Sequence, residues 1–181
     1  MYKRQDPINR TQLEFVVKHD RAYVFGTTDD WSLGAYKRFV KRNPNVKTLV
    51  LKAMPGTQDA DTNIKIARLI RDNGMNTHLD ADSRIASGAV DLFLAGNQRT
   101  MECGARIGVH AWQSQLGFSP REVKWDTRQG YHERFLIDMG IDPNFYEFTR
   151  AAAPPEGIYV LTPDDINRFK LLSTPLKCMA G

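Results

Sequence analysis

The chain has 181 residues, 41% of them hydrophobic and 25% charged, and its mean hydropathy is −0.46. That balance suits one folded core and excludes both wholesale disorder and an integral membrane protein. Lys and Arg outnumber Asp and Glu by 25 to 21, a formal net charge of +4, which permits anionic partners without requiring one. No nucleic-acid motif or dense basic stripe accompanies the charge, so nucleic acid is not an expected partner. The longest apolar runs are a few residues, against the roughly 18 to 20 needed to cross a bilayer, so no transmembrane segment is expected. Met1 to Pro7 lacks an apolar stretch, and no signal peptide is read there. Cys103 and Cys178 share no metal-ligand spacing and suggest no disulfide framework.

Along the chain, Leu13 to Val17 and Ala22 to Gly26 are β-branched and aromatic runs around Lys18-His19-Asp20-Arg21, the pattern of a hairpin with a four-residue loop. Leu33, Tyr36, Phe39 and Val40 line one helical face, which Asn43-Pro44 ends. Val46 to Leu51 reads as a strand buried on both faces and broken by Pro55-Gly56-Thr57. Ile64, Ala67, Leu69 and Ile70 predict a second helix capped at Asn73-Gly74, and Met75 to Leu79 a weak strand. Ser87 opens a short apolar helix ending at Gly96-Asn97, and Ile107 to Ala111 returns as a strand. Helices are expected from Arg128 to Gly140 and after Pro143, then a strand from Ile158 to Leu161 and a helix start at Thr162-Pro163-Asp164-Asp165. Strands alternating with helices predict an α/β domain with mostly parallel pairing.

In open α/β architectures the chemistry gathers beyond the carboxyl ends of strands, which directs attention to Gly56, Ser87 and His110. Ser87, between Ala86 and Gly88, has an unshielded hydroxyl and the Gly88 N–H beside it; His110 would take its proton, and Gly56 would offer a second N–H to an oxyanion. Taken singly, Ser87 also reads as a helix N-cap, His110 as a strand histidine and Gly56 as a turn. Asp91 reads more safely as the solvent-facing position of its helix than as an inward polar residue; Trp112, Phe118, Trp125 and Tyr131 offer an apolar lining after His110, although aromatic residues more often simply pack. His19, His78 and His132 have no metal-ligand spacing, so neither a metal nor another cofactor is expected.

Ala86-Ser87-Gly88-Ala89-Val90-Asp91-Leu92-Phe93-Leu94-Ala95-Gly96, followed by Arg106-Ile107-Gly108-Val109-His110, resembles the catalytic core of the Clp protease proteolytic subunit. Leu49-Val50-Leu51 with Pro55-Gly56 resembles that family's strand and oxyanion loop, although Thr57 stands where the family has a second glycine. Ile70-Arg71 and Gly108-Val109-His110 are similar to a group of exported bacterial Clp-like proteins. The resemblance implies a Clp/crotonase-like spiral of ββα units over residues 13–175, with an N-terminal extension at 1–12 and a C-terminal tail at 176–181. It also implies a serine hydrolase acting on a peptide or other acyl substrate, a homo-oligomer, and an exported or periplasmic location. The family's acid position falls on Ile158, which leaves Glu156, two residues earlier and on the same strand face, as the triad carboxylate to be expected; Asp126, Asp138 and Asp164 are also available, but read better as solvated surface, helix charge or helix start. Two other readings keep the fold: a non-catalytic binding or assembly module, and a crotonase-like enzyme acting on an acyl thioester.

Overall fold

A tight hairpin begins the structure, a computed structural model that describes residues 12–111 and 127–178. Strands β1 (Glu14–Lys18) and β2 (Arg21–Phe25) pair antiparallel with Lys18 opposite Arg21, so two residues, His19 and Asp20, make the turn that the sequence pattern drew as four. His19 has φ 56°, the left-handed conformation such a short connection needs. Beyond it the chain winds in a repeating unit. Helix α1 (Ser32–Arg42) leads to β3 (Thr48–Leu51), β4 (Ala53–Met54) and α2 (Ala60–Asp72). Then come β5 (Asn76–Leu79), β6 (Arg84–Ala86) and α3 (Gly88–Leu94), followed by β7 (Arg99–Met101) and β8 (Arg106–Val109). Each turn sends its first strand to a five-stranded sheet, ordered β1-β2-β3-β5-β7, and its second to a smaller sheet, ordered β4-β6-β8-β9, in which β9 is the late strand Tyr159–Val160. Except at β1–β2 and β8–β9 the pairing is parallel, as the strand and helix alternation predicts.

After β8 the described chain resumes with α4 (Thr127–Asp138), α5 (Asn144–Ala152), β9 (Tyr159–Val160) and α6 (Pro163–Arg168). The last helix starts as its sequence dictates: Thr162 Oγ1 accepts from Asp165 N–H, and the Asp165 carboxylate accepts from Thr162 N–H, with proline at the first turn. Leu49, Val50 and Leu51 of β3 are buried, as a central parallel strand requires. Helix α2 sets Ile64, Ile66, Ala67 and Ile70 with Leu49 and Leu51 in one continuous core that includes Phe93, Ile107 and Phe135. Each isoleucine so buried contributes about 2 kcal/mol.

The two cysteines correct the sequence reading: Cys103, just after β7, is disulfide-bonded to Cys178 near the C-terminus. Before that bond the same segment is already laid along β7. Arg99 N–H donates to Ser173 Oγ at 2.8 Å, Ser173 N–H to Arg99 O at 2.9 Å, and the buried Arg99 guanidinium donates through Nε to Leu171 O at 2.8 Å. The C-terminal segment therefore covers the edge of the large sheet, where unpaired backbone groups would otherwise face solvent.

Helix α2 begins at Asp59, whose carboxylate accepts from Thr62 Oγ1 at 2.7 Å and from the Asp61 and Thr62 N–H groups. The Thr62 hydroxyl first, with those N–H donors, holds the Asp59 carboxyl below its ordinary pKa. A carboxyl depressed by folding adds stability above its unfolded pKa, and that stability is lost as pH falls through the folded value. Asp59→Ala is accordingly expected to cost about 1 kcal/mol near neutrality. Urea midpoints of the two proteins should converge as pH falls below the carboxylate range; a gap that persists there would show that the cap is not the source.

Candidate active site

The loop between β4 and α2 and the turn between β6 and α3 lie against each other at Gly56 and Ser87. Ser87 closes β6 with φ 54° and ψ −130°, a conformation that turns strand directly into helix α3. Its N–H donates to Gly108 O at 3.1 Å and its carbonyl accepts from Val90 N–H at 2.9 Å, so the turn is tied to β8 on one side and to the helix on the other. Ser87 stands at the N-cap position, yet its side chain makes no capping hydrogen bond. The hydroxyl of a residue held at positive φ on such a turn is projected clear of both elements, at a cost in backbone strain that the surrounding ladder bears.

Gly56 faces it. At φ 148° it occupies a region open to glycine, and a methyl group there would lie 3.1 Å from Ser87 Cβ and 3.5 Å from Ser87 Oγ. Outside the regular elements no described main-chain hydrogen bond uses the Gly56 N–H. Gly88 is the first residue of α3, and its N–H has no acceptor within the helix. Thr57, the departure from the family's second glycine, packs over Gly88, where an added Cβ would lie 2.8 Å from Thr57 Cβ. Its hydroxyl donates back to Thr28 O and Asp59 O and holds the loop closed.

His110 follows β8 and shares with Ser87 a cavity of about 90 Å³, whose walls include Val90, Asp91, His132 and Tyr146. No direct hydrogen bond joins Ser87 Oγ to His110 among the described residues. His110 Nδ1 lies 2.6 Å from Ala111 O, and Ala111 is itself pinned by its N–H to Ala153 O at 2.8 Å. A carbonyl can only accept, so Nδ1 carries the hydrogen and Nε2 of the neutral ring is left as the basic nitrogen.

Glu156 is exposed in the turn before β9 and does not line this cavity. Ile158, at the family's acid position, is 55% exposed. Asp138 bridges Arg68 at 2.9 Å and Arg134 at 3.3 Å, and Asp164 lies in the first turn of α6. Trp112, Phe118, Trp125 and Asp126 lie outside the described residues, and Tyr131 is exposed on α4 without lining the cavity.

Asp91 corrects the sequence expectation of a solvent-facing helix position. It is half-buried, accepts from Asn63 Nδ2 at 3.3 Å and has His132 Nε2 at 3.7 Å. Asn63, fully buried, also donates to Gly88 O at 2.8 Å and accepts from Thr28 Oγ1 at 2.8 Å, fastening α2 to the start of α3. His132 stacks on Tyr146 with ring centroids 5.6 Å apart. Asp91 was findable: it stands one turn after Ser87, at the spacing that places two residues on one helix face. His132 and Asn63 carried no such local signal.

A second group of titratable side chains lies at the carboxyl ends of β3, β5 and β7. His78 Nε2 is 3.3 Å from Asp80 and 3.9 Å from Glu102, and Nδ1 meets Thr100 Oγ1 at 2.7 Å. One ligand-type atom from each of His78, Asp80 and Glu102 lies within 4.8 Å of the others, close enough to share an ion. Lys52 Nζ already occupies Asp80 at 2.8 Å and reaches Asp82 as well, so the cluster is balanced by its own ammonium.

Neither a family model nor a curated protein matches this sequence. Solved structures do match its shape. A mutant of the 1510-N membrane-bound stomatin-specific protease, in complex with a substrate peptide, aligns over 84% of this chain and 71% of its own, with a TM-score of 0.54 and 14% identity. Pseudomonas aeruginosa PA4980 aligns over 91% and 77%, with a TM-score of 0.55 and 13% identity. A putative enoyl-CoA hydratase from Streptomyces avermitilis aligns over 91% and 67%, with a TM-score of 0.58 and 10% identity. At such identities the likeness is one of architecture, and the chain has the mixed α/β Clp/crotonase-like fold.

Proposed function

We propose that this chain is a serine hydrolase of Clp-peptidase type, acting on a peptide or other acyl bond. The observation that carries the reading is Ser87: an uncapped hydroxyl held at positive φ, facing the Gly56 backbone and sharing a cavity with His110. In this reading Ser87 Oγ attacks the substrate carbonyl while His110 Nε2 takes its proton. The tetrahedral oxyanion is held by the N–H groups of Gly56 and Gly88. The C–N or C–O bond then breaks as the His110 proton passes to the leaving group, and water repeats the sequence to release the acyl group.

The Ala111 carbonyl serves as the orienting acceptor in place of Glu156, fixing the tautomer without a carboxylate. Hydratases share the architecture, but an uncapped serine beside a histidine favours acyl transfer over thioester hydration. An inert binding module would give Ser87 no reason to remain uncapped. Incubation with a fluorophosphonate probe followed by peptide mapping is expected to place the adduct on Ser87. A folded sample left unlabelled by a probe that labels a control hydrolase would refute the activated nucleophile.

A further inference from the structure

The small sheet has two unlike faces. Met54, Ile85, Ile107 and Val109 point into the core and are buried. Alternation along each strand places Ala53, Arg84, Ala86, Arg106, Gly108 and Val160 on the opposite face. That face lines a cavity of about 320 Å³ which also reaches Pro55 and Ile158. Its floor is made of small residues. A Cβ on Gly108 would lie 2.8 Å from Ile158 Cγ2, so glycine is what lets the neighbouring strand stay close. Ile158 and Val160, 55% and 45% exposed, form an apolar wall.

The cavity's two ends differ in kind. One end is Pro55 and Ala86, the residues immediately before Gly56 and Ser87. The other carries Arg84 and Arg106, which the parallel register of β6 and β8 places directly side by side on the same face. Paired like charges in a sheet are unfavourable unless an anion answers them. Arg84 is partly engaged, donating to the carbonyls of Ala81, Ser83 and Gly104. Among the described residues Arg106 has no ion pair, and no carboxylate bridges the two.

We propose that this face is a substrate subsite for an extended acidic peptide, resting on the hydrolase reading above for its orientation. Ser87 lies three residue steps beyond Arg84, about 10 Å at the rise of a strand. A peptide whose carbonyl lies at Ser87 would therefore set a Glu or Asp two to three residues away against the guanidiniums, with apolar side chains between them over Ala86, Gly108 and Val160. The charged end gives selectivity for acids, and the apolar floor supplies contact area.

The test is fluorescence anisotropy with the full chain carrying Ser87→Ala, which removes turnover. The probes are labelled apolar octapeptides bearing Glu or Lys three residues to either side of the central bond. The Glu peptide is expected to bind about tenfold more tightly than the Lys peptide in one of the two placements, with the difference shrinking at high salt. Arg106→Gln should erase the preference and Arg106→Glu should reverse it; because Arg106 is exposed, both variants are expected to fold, which circular dichroism checks. Equal binding of Glu and Lys peptides in both placements would overturn the proposal. So would a preference unmoved by either Arg106 variant, or self-association that Arg106→Glu dissolves without peptide discrimination, which would give the face to a second copy of the chain. Acid preference in a protein whose active form cleaves neither peptide nor ester would keep the subsite and remove the hydrolase reading.

Discussion

Alanine at Ser87 and alanine at His110 are each expected to lower kcat by at least about 10³-fold, with the double substitution little worse than either alone. The near-saturation follows from their acting as one unit. Without His110 the hydroxyl keeps its proton, and without Ser87 the base has nothing to activate, so the second loss removes little that the first left. Glu156→Gln should leave kcat within about twofold, because Glu156 is exposed and outside the cavity while the Ala111 carbonyl holds His110 Nδ1. Gly56→Ala should cut kcat by about 10²- to 10³-fold, the cost of a displaced oxyanion donor, because its methyl would press on Ser87 Cβ at 3.1 Å. Steady-state cleavage of a fluorogenic peptide or ester measures all five. A single Ser87→Ala protein that retains wild-type turnover would end the acyl-enzyme reading, and a large loss at Glu156→Gln would return the orienting role to the carboxylate.

What could be read from the chain and what could not separate along physical lines. Helix α2 was legible because four apolar positions fall on one face, and α6 because Thr162-Pro163-Asp164-Asp165 carries its own cap. β4, β6 and β7 were not, because strands of two or three residues are too short to show a period of two. They exist because the spiral offers each a partner already in place. Ser87 was found as a residue, but its positive φ was not. A serine before a helix ordinarily caps it, and only the pairing of β6 with β8, which ties Ser87 N–H to Gly108 O, holds the other conformation. Asp91 was misjudged for a related reason: one carboxylate in an apolar helix turns inward only if something meets it, and Asn63 and His132 come from distant parts of the chain.

The cysteine pair was invisible for want of any local signal, being 75 residues apart in sequence, and its removal should have the largest effect on stability. Closing a loop of that length restricts the unfolded chain by about 4 kcal/mol, in the chain-entropy account. For a chain of this size that corresponds to a fall in Tm of about 10 °C on reduction, or in the Cys103→Ser, Cys178→Ser double variant. The loss should not be spread evenly. Arg99 would still hold Leu171 and Ser173 through its own hydrogen bonds, so the segment beyond Ser173 should detach first and uncover the end of β7 nearest Cys103. Hydrogen exchange should therefore quicken at Met101 to Cys103, beyond the retained Arg99 bonds, before it does at β3, where Leu49 to Leu51 are buried in the sheet centre. Such a bond persists in oxidising surroundings, and a reducing environment would leave the protein in its weaker form. Identical melting curves with and without reductant, in a sample whose free thiols confirm reduction, would show that the C-terminal segment is held by Arg99 and its packing alone.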